Sequence, residues 1–87
     1  MYKIEFSTQA ARTYRRLPGF IRQQVDAKLL LLAKAHYSKN NNIKPIQGAA
    51  RCYRLRIGDL RVIYEIINEI LKIYVIKIGH RKEVYRL

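Results

Sequence analysis

Arginines at 54, 56 and 61, and a tail reading His80-Arg81-Lys82-Glu83-Val84-Tyr85-Arg86, are the residues whose types and spacing suit chemistry on an anion. Guanidinium groups keep their charge and grip phosphate oxygens through a two-pronged fork. A phosphodiester cut by its own ribose 2′-hydroxyl needs a base for that proton, an acid for the leaving 5′-oxygen and positive charge against the crowded phosphorane between them; no metal is obligatory. Arg54, Arg56 and Arg61 suit the electrostatic role, while arginine's very high ordinary pKa makes it a poor base. The tail supplies proton-moving types: His80, because histidine ordinarily titrates near neutrality, and Tyr85, because neighbouring cations favour a phenolate. Plainer readings stand beside these. A lone histidine after a final strand, as His80 is, is more often a surface residue than a catalyst; Tyr85 also reads as a ring over a sheet edge, and Arg81, Lys82 and Arg86 as a solvated basic tail.

The arginines are placed by the stretch RCYRLRIGDLRVIY, Arg51 to Tyr64. Two alternating runs flank Gly58-Asp59, a two-residue connection whose glycine supplies the positive φ of a tight hairpin turn. With that loop, Ile57 pairs with Leu60, Arg56 with Arg61, Leu55 with Val62 and Arg54 with Ile63. Strand side chains alternate between faces. Arg54, Arg56 and Arg61 therefore share one face, and Tyr53, Leu55, Ile57, Leu60, Val62 and Tyr64 the other. Like charges directly opposite destabilise a sheet, a cost that a bound polyanion removes. A solvated polar face that happens to use arginine is the alternative.

The remaining elements frame this hairpin. Tyr2-Lys3-Ile4-Glu5-Phe6 alternates as a strand, Ser7 or Thr8 offers a helix N-cap, and Ala10, Ala11, Tyr14 and Leu17 recur at helical spacing up to Pro18-Gly19. From Phe20 to about Tyr37 a broad apolar stripe predicts a second helix in contact with both the sheet and the first helix, with His36 at its end. Ser38 to Asn42 is a polar break, and Pro45 and Gly48 predict an irregular connection as far as Ala49. After the hairpin the chain continues through Ile67 to a turn near Asn68-Glu69. A last strand, Leu71 to Ile78, is so nearly all apolar that an interior position covered on both faces is expected, with Gly79 releasing the chain into the tail. The predicted fold is α+β: a small, largely antiparallel four-stranded sheet with an N-terminal helical hairpin on one face and the arginines on the open face.

Composition narrows the class. A single domain over residues 1–87 with a modest core is expected, and 49% hydrophobic residues argue against a disordered basic tail. The net charge of +12 favours nucleic acid as partner, ahead of an acidic protein or an anionic membrane surface. Cys52, the single cysteine, excludes an internal disulfide and reads as structural. The four glycines form no phosphate-cradling loop, and six scattered acids make a carboxylate-bound metal centre improbable, so no cofactor and no metal are expected. The longest apolar run is too short to span a bilayer, and the N-terminus has no signal-peptide core, so a cytoplasmic location is the expectation.

CYRLRIGDLRVIY followed by IGHRKEVY resembles the C-terminal half of the RelE/ParE superfamily of bacterial and archaeal toxins, and the preceding strand and helical hairpin resemble the rest. The resemblance implies a type II toxin held by a cognate antitoxin, an acidic segment that folds on binding. Its RelE branch cuts mRNA in the ribosomal A site without a metal; its ParE branch poisons DNA gyrase on the same scaffold. A non-cleaving RNA- or ribosome-binding module is a further alternative. For a RelE-like mRNA interferase the resemblance implies Tyr85 as base, Arg81 as the group assisting the leaving oxygen and Arg61 as transition-state stabiliser. His80 is an added acid or base, and Arg54, Arg56, Lys82 and Arg86 bind phosphate. The chain departs from well-studied RelE members in carrying arginines, which supply charge but no proton, where those carry lysines, and in a shorter spacing from Arg81 to Tyr85.

Overall fold

The computed structural model describes residues 1–35 and 40–84, the side chain of Val84 excepted. Strand β1 (Lys3–Phe6) leads into helix α1 (Thr8–Arg16), whose N-cap is Ser7: its hydroxyl accepts from the Ala10 amide at 3.1 Å. Proline and glycine at 18 and 19 end that helix and start α2 (Gly19–Ala35). His36 to Lys39 lie outside the described residues, so the predicted end of the second helix and the start of the polar break are not described. A short strand β2 (Ile43–Pro45) follows, then β3 (Cys52–Ile57), β4 (Leu60–Ile67), a 3-10 turn at Asn68–Ile70, β5 (Lys72–His80) and a last helical turn α3 (Arg81–Val84).

The sheet runs β1-β5-β4-β3-β2, with β1 parallel to β5 and every other neighbour antiparallel. It therefore has five strands, not the expected four. The extra one is the segment around Pro45, read from the sequence as irregular. Ile43, Lys44 and Pro45 pair with Leu55, Arg54 and Tyr53 at the sheet's edge, where a proline's missing N–H leaves no ladder bond unmade.

The hairpin forms in the register expected, with Ile57 opposite Leu60, Arg56 opposite Arg61 and Arg54 opposite Ile63. Gly58 takes the positive φ, 57°, and Asp59 does not, the pattern of a type II′ turn. On one face Leu55, Ile57, Val62, Tyr64, Ile66, Ile73, Val75 and Ile78 form the core with Ala10, Val25, Leu29 and Leu32 of the two long helices. Tyr53 stacks on Tyr64, ring centroids 5.6 Å apart, and burial pushes the Tyr64 phenol well above its ordinary value. Tyr64 is core and Tyr53 is half-buried against it, on the face that the strand phase suggests.

The near-continuous apolarity of β5 has a more specific cause than cover on both faces. A register shift between Ile63 and Tyr64 leaves Ile76 as an extra residue, since Ile63 faces Lys77 and Tyr64 faces Val75. A bulge of one residue exchanges the faces beyond it. Ile73 and Val75 point to the core before it and Ile78 after it. The Ser7 hydroxyl donates to the carbonyl of the extra residue, Ile76, at 2.5 Å, tying the start of α1 to the bulge. Gly79, expected to release the chain, instead stays in the strand opposite Arg61. Among the described residues, no helix is long and apolar enough to cross a membrane.

Candidate anion-binding cleft

At the turn end of the hairpin, β3, β4, α2, the loop before β2 and the start of α3 enclose a cleft of about 710 Å³. Arg56, Arg61 and Arg81 line it, with Lys28, Gln24 and Asn42. Arg54 lies next door, in a depression of about 260 Å³ shared with Arg56, Arg61, Lys44, Asn41 and Asn42. Asp59 is the one acidic residue lining either cavity among the described residues.

Arg61 departs from expectation. Strand phase puts it on the open face, yet it is 8% exposed. A buried charge must be hydrogen-bonded to be tolerated, and the hairpin turn does this: Arg61 Nη1 donates to the carbonyls of Gly58 at 2.8 Å and Leu60 at 2.9 Å. Its cross-strand partner Gly79 has no side chain to obstruct the guanidinium on that face. Ile63 is also buried on the arginine face, flanked in register by Arg54 and Lys77, whose long apolar stems can cover it. The face is thus only partly open.

Arg56 is exposed and turns the other way, towards the loop before β2. Its Nε and Nη2 donate to Asn42 Oδ1 at 3.3 and 3.0 Å, and its backbone N–H donates to the Asn42 carbonyl at 2.8 Å. The two arginines that oppose each other in register are therefore drawn apart, each onto neutral oxygens. Neutral acceptors orient a guanidinium without cancelling its charge.

The tail is anchored to the turn. The Arg81 amide donates to the Asp59 carbonyl at 2.9 Å, which brings the Arg81 side chain into the cleft with Arg56 and Arg61. His80 is exposed, lines neither cavity, and pairs with Leu60, which by register puts it on the face opposite Arg61. Lys82 is exposed on α3 and also lines neither cavity. Tyr85 and Arg86 lie outside the described residues.

Three cleft residues escaped sequence reasoning: Gln24, Lys28 and Asn42. The first two lie beside the buried stripe of α2, Lys28 one turn before Leu32, and carried no signal of their own. Asn42 had one. The Asn40 side chain accepts from the Asn42 amide at 2.8 Å, a local turn that asparagine runs favour, and recognising Ile43–Pro45 as a strand beside β3 sets Asn42 next to Arg56. Among the described residues no group of three His, Cys, Asp or Glu side chains is placed to hold a metal ion.

A five-stranded α+β domain that gathers arginines from a hairpin and from the chain's tail around one cleft is, in class, a small basic domain with a site suited in charge to an anion. The model of the ParE toxin of type II toxin-antitoxin systems matches residues 4–85. The mRNA interferase toxin RelE of Escherichia coli K12 is 30% identical over 88 residues, 97% of this chain and 90% of that protein. Among solved structures, the RelBE2 toxin-antitoxin complex of Mycobacterium tuberculosis contains a chain 26% identical, with a TM-score of 0.75 over 92% of this chain and 98% of that one. The intact Escherichia coli RelBE complex gives 0.80 at 24% identity, over 92% and 96%. This chain belongs to the RelE/ParE superfamily of type II toxins.

Proposed function

We propose that the chain is a toxin of the RelE kind: an endoribonuclease that cuts mRNA on the ribosome and so stops translation, and that a cognate antitoxin holds in check. The observation that carries this reading is the convergence of Arg56, Arg61 and Arg81 on one cleft, together with 30% identity to an mRNA interferase toxin along nearly the whole chain. In the reaction, the 2′-hydroxyl loses its proton to a base and attacks the adjacent phosphorus. The bond to the 5′-oxygen breaks, and that oxygen takes up a proton, leaving a 2′,3′-cyclic phosphate and a 5′-hydroxyl. Arg61, already held by the turn, stabilises the phosphorane's added charge. Arg81 assists the leaving oxygen, Tyr85 is the base and His80 a further proton carrier. Arg54 and Arg56, with Lys82 and Arg86, hold the flanking phosphates. The antitoxin is an acidic segment that orders on this basic surface, and both partners work in the cytoplasm.

Primer extension on a translated message during induced expression tests the reading. New 5′ ends that require translation are expected, and Tyr85→Phe combined with Arg81→Ala is expected to abolish them. Cuts that persist undiminished in that double variant overturn the tail assignment. The second reading, a ParE-like poison of DNA gyrase, is favoured by the name of the matching family model; it predicts intact messages and arrested replication. Intact messages with blocked translation identify a non-cleaving ribosome binder.

A further inference from the structure

We infer that Asn42 is a positioning residue for the cleft: its side-chain carbonyl aims the Arg56 guanidinium while leaving that charge free for a phosphate. The inference rests on the reading of the cleft as an RNA site and adds to it a residue from outside the hairpin and tail.

Three observations carry it. Arg56 and Arg61 are direct cross-strand partners, so unrestrained guanidinium groups there repel and spread over many rotamers. Asn42 answers this with a convergent grip, taking both Nε–H and Nη2–H of Arg56 on one oxygen while its backbone carbonyl takes the Arg56 amide. Asn42 is in turn held by Asn40, whose side chain accepts the Asn42 amide at 2.8 Å. The backbone that carries the acceptor, and whose own carbonyl takes the Arg56 amide, is thus held by a local turn independent of the Arg56 side chain. The residue type matters as much as the place. An aspartate of the same shape offers an oxygen at the same point, but its negative charge pairs with Arg56 and competes with phosphate. An asparagine orients and does not neutralise. With Nε and Nη2 engaged on Asn42, the Nη1 edge of Arg56 remains for a phosphate oxygen.

The experiment uses the full chain and two substitutions, Asn42→Ala and Asn42→Asp, read in two ways. The first is the Arg56 Nε–H resonance in 15N-edited spectra of the free protein, identified by its loss in Arg56→Lys. A slowly exchanging signal is expected in the unsubstituted protein, retained in Asn42→Asp and lost in Asn42→Ala. The second is the affinity for a 2′-deoxy-substituted single-stranded oligonucleotide, which cannot be cut. Both variants are expected to bind roughly tenfold more weakly, and Arg56→Ala added to Asn42→Ala is expected to cost little more than either alone. An Arg56 signal unaffected by Asn42→Ala overturns the positioning role whatever the affinity does. Additive losses in the double variant, or full affinity in Asn42→Asp, overturn the link to phosphate binding. Failure of the nuclease reading shows separately, as an unsubstituted protein that binds the oligonucleotide but leaves its all-ribose form, and messages on the ribosome, uncut. Thermal melting of each variant separates these effects from unfolding.

Discussion

At the open end of the β3–β4 hairpin, Arg51 Nη1 reaches both carboxylate oxygens of Glu69, at 2.7 and 3.1 Å, and nearby Lys72 pairs with Glu5 at 2.9 Å. At the turn end, the side-chain hydrogen bonds of Arg56 and Arg61 among the described residues go to the neutral oxygens of Asn42, Gly58 and Leu60. The same residue type at the two ends of one hairpin is thus treated in opposite ways. Where arginine serves the scaffold, a carboxylate cancels its charge. Where Arg56 and Arg61 are bonded to neutral oxygens instead, their field stays available to an incoming anion. Charge count alone does not separate the two ends; the acceptor does.

The sharpest way to break this comparison is Arg61→Ala. If the turn-end charge stabilises a transition state, cleavage measured in a translation extract falls roughly 100- to 1,000-fold, while Arg51→Ala leaves it nearly unchanged. Equal losses at the two ends mean that the distinction has no functional content. Gly58→Ala probes the turn that holds Arg61. Nothing lies within 4 Å of an added methyl, but the φ of 57° is one that alanine resists, so a stability loss of about 1 kcal/mol in urea titration is expected. Cleavage should fall further than that loss alone explains, because the Gly58 carbonyl is an Arg61 acceptor. Arg56→Ala sharpens the comparison through salt. Each phosphate contact on a single strand contributes about 0.7 to the slope of log affinity against log salt. The slope is expected to flatten by about that much in Arg56→Ala and to be unaltered in Arg51→Ala.

The hairpin that carries this contrast was legible in the sequence; the acceptors that make the contrast were not, for physical reasons. The hairpin register followed from a two-residue turn, because strand periodicity leaves one pairing that keeps Leu55, Val62 and Tyr64 on the core side. Family resemblance, not periodicity, brought Arg81 to the arginines. The structural reason, a backbone bond from Arg81 to the Asp59 carbonyl, has no side-chain signature. Arg61's burial was invisible for the same cause, since its acceptors are main-chain oxygens. The bulge at Ile76 could not be placed because an all-apolar run carries no phase. β2 was missed because proline argues against a strand everywhere except at an edge, and with it went the neighbour relation that makes Asn42 a partner of Arg56.

The smallest expected effect comes from the end where charge is cancelled, and its sign is fixed. The Arg51 hydrogen bond holds the Glu69 carboxyl below its ordinary value. A carboxyl with a depressed pKa in the folded state contributes stability that is fully present above the unfolded value, ordinarily about 4.3 for glutamate, and is lost as pH falls through the folded one. Glu69→Gln should therefore destabilise slightly near neutrality and converge with the unsubstituted protein in acid. The difference is small because both side chains are more than half exposed, and water and salt screen such pairs. Urea titrations at the two pH values and at two salt concentrations read it. A gap between the proteins that widens in acid reverses the assigned sign. A loss of oligonucleotide affinity in Glu69→Gln shows the two ends to be coupled, since cancelling one arginine at the scaffold end should leave the turn-end acceptors, and the cleft they hold open, as they are.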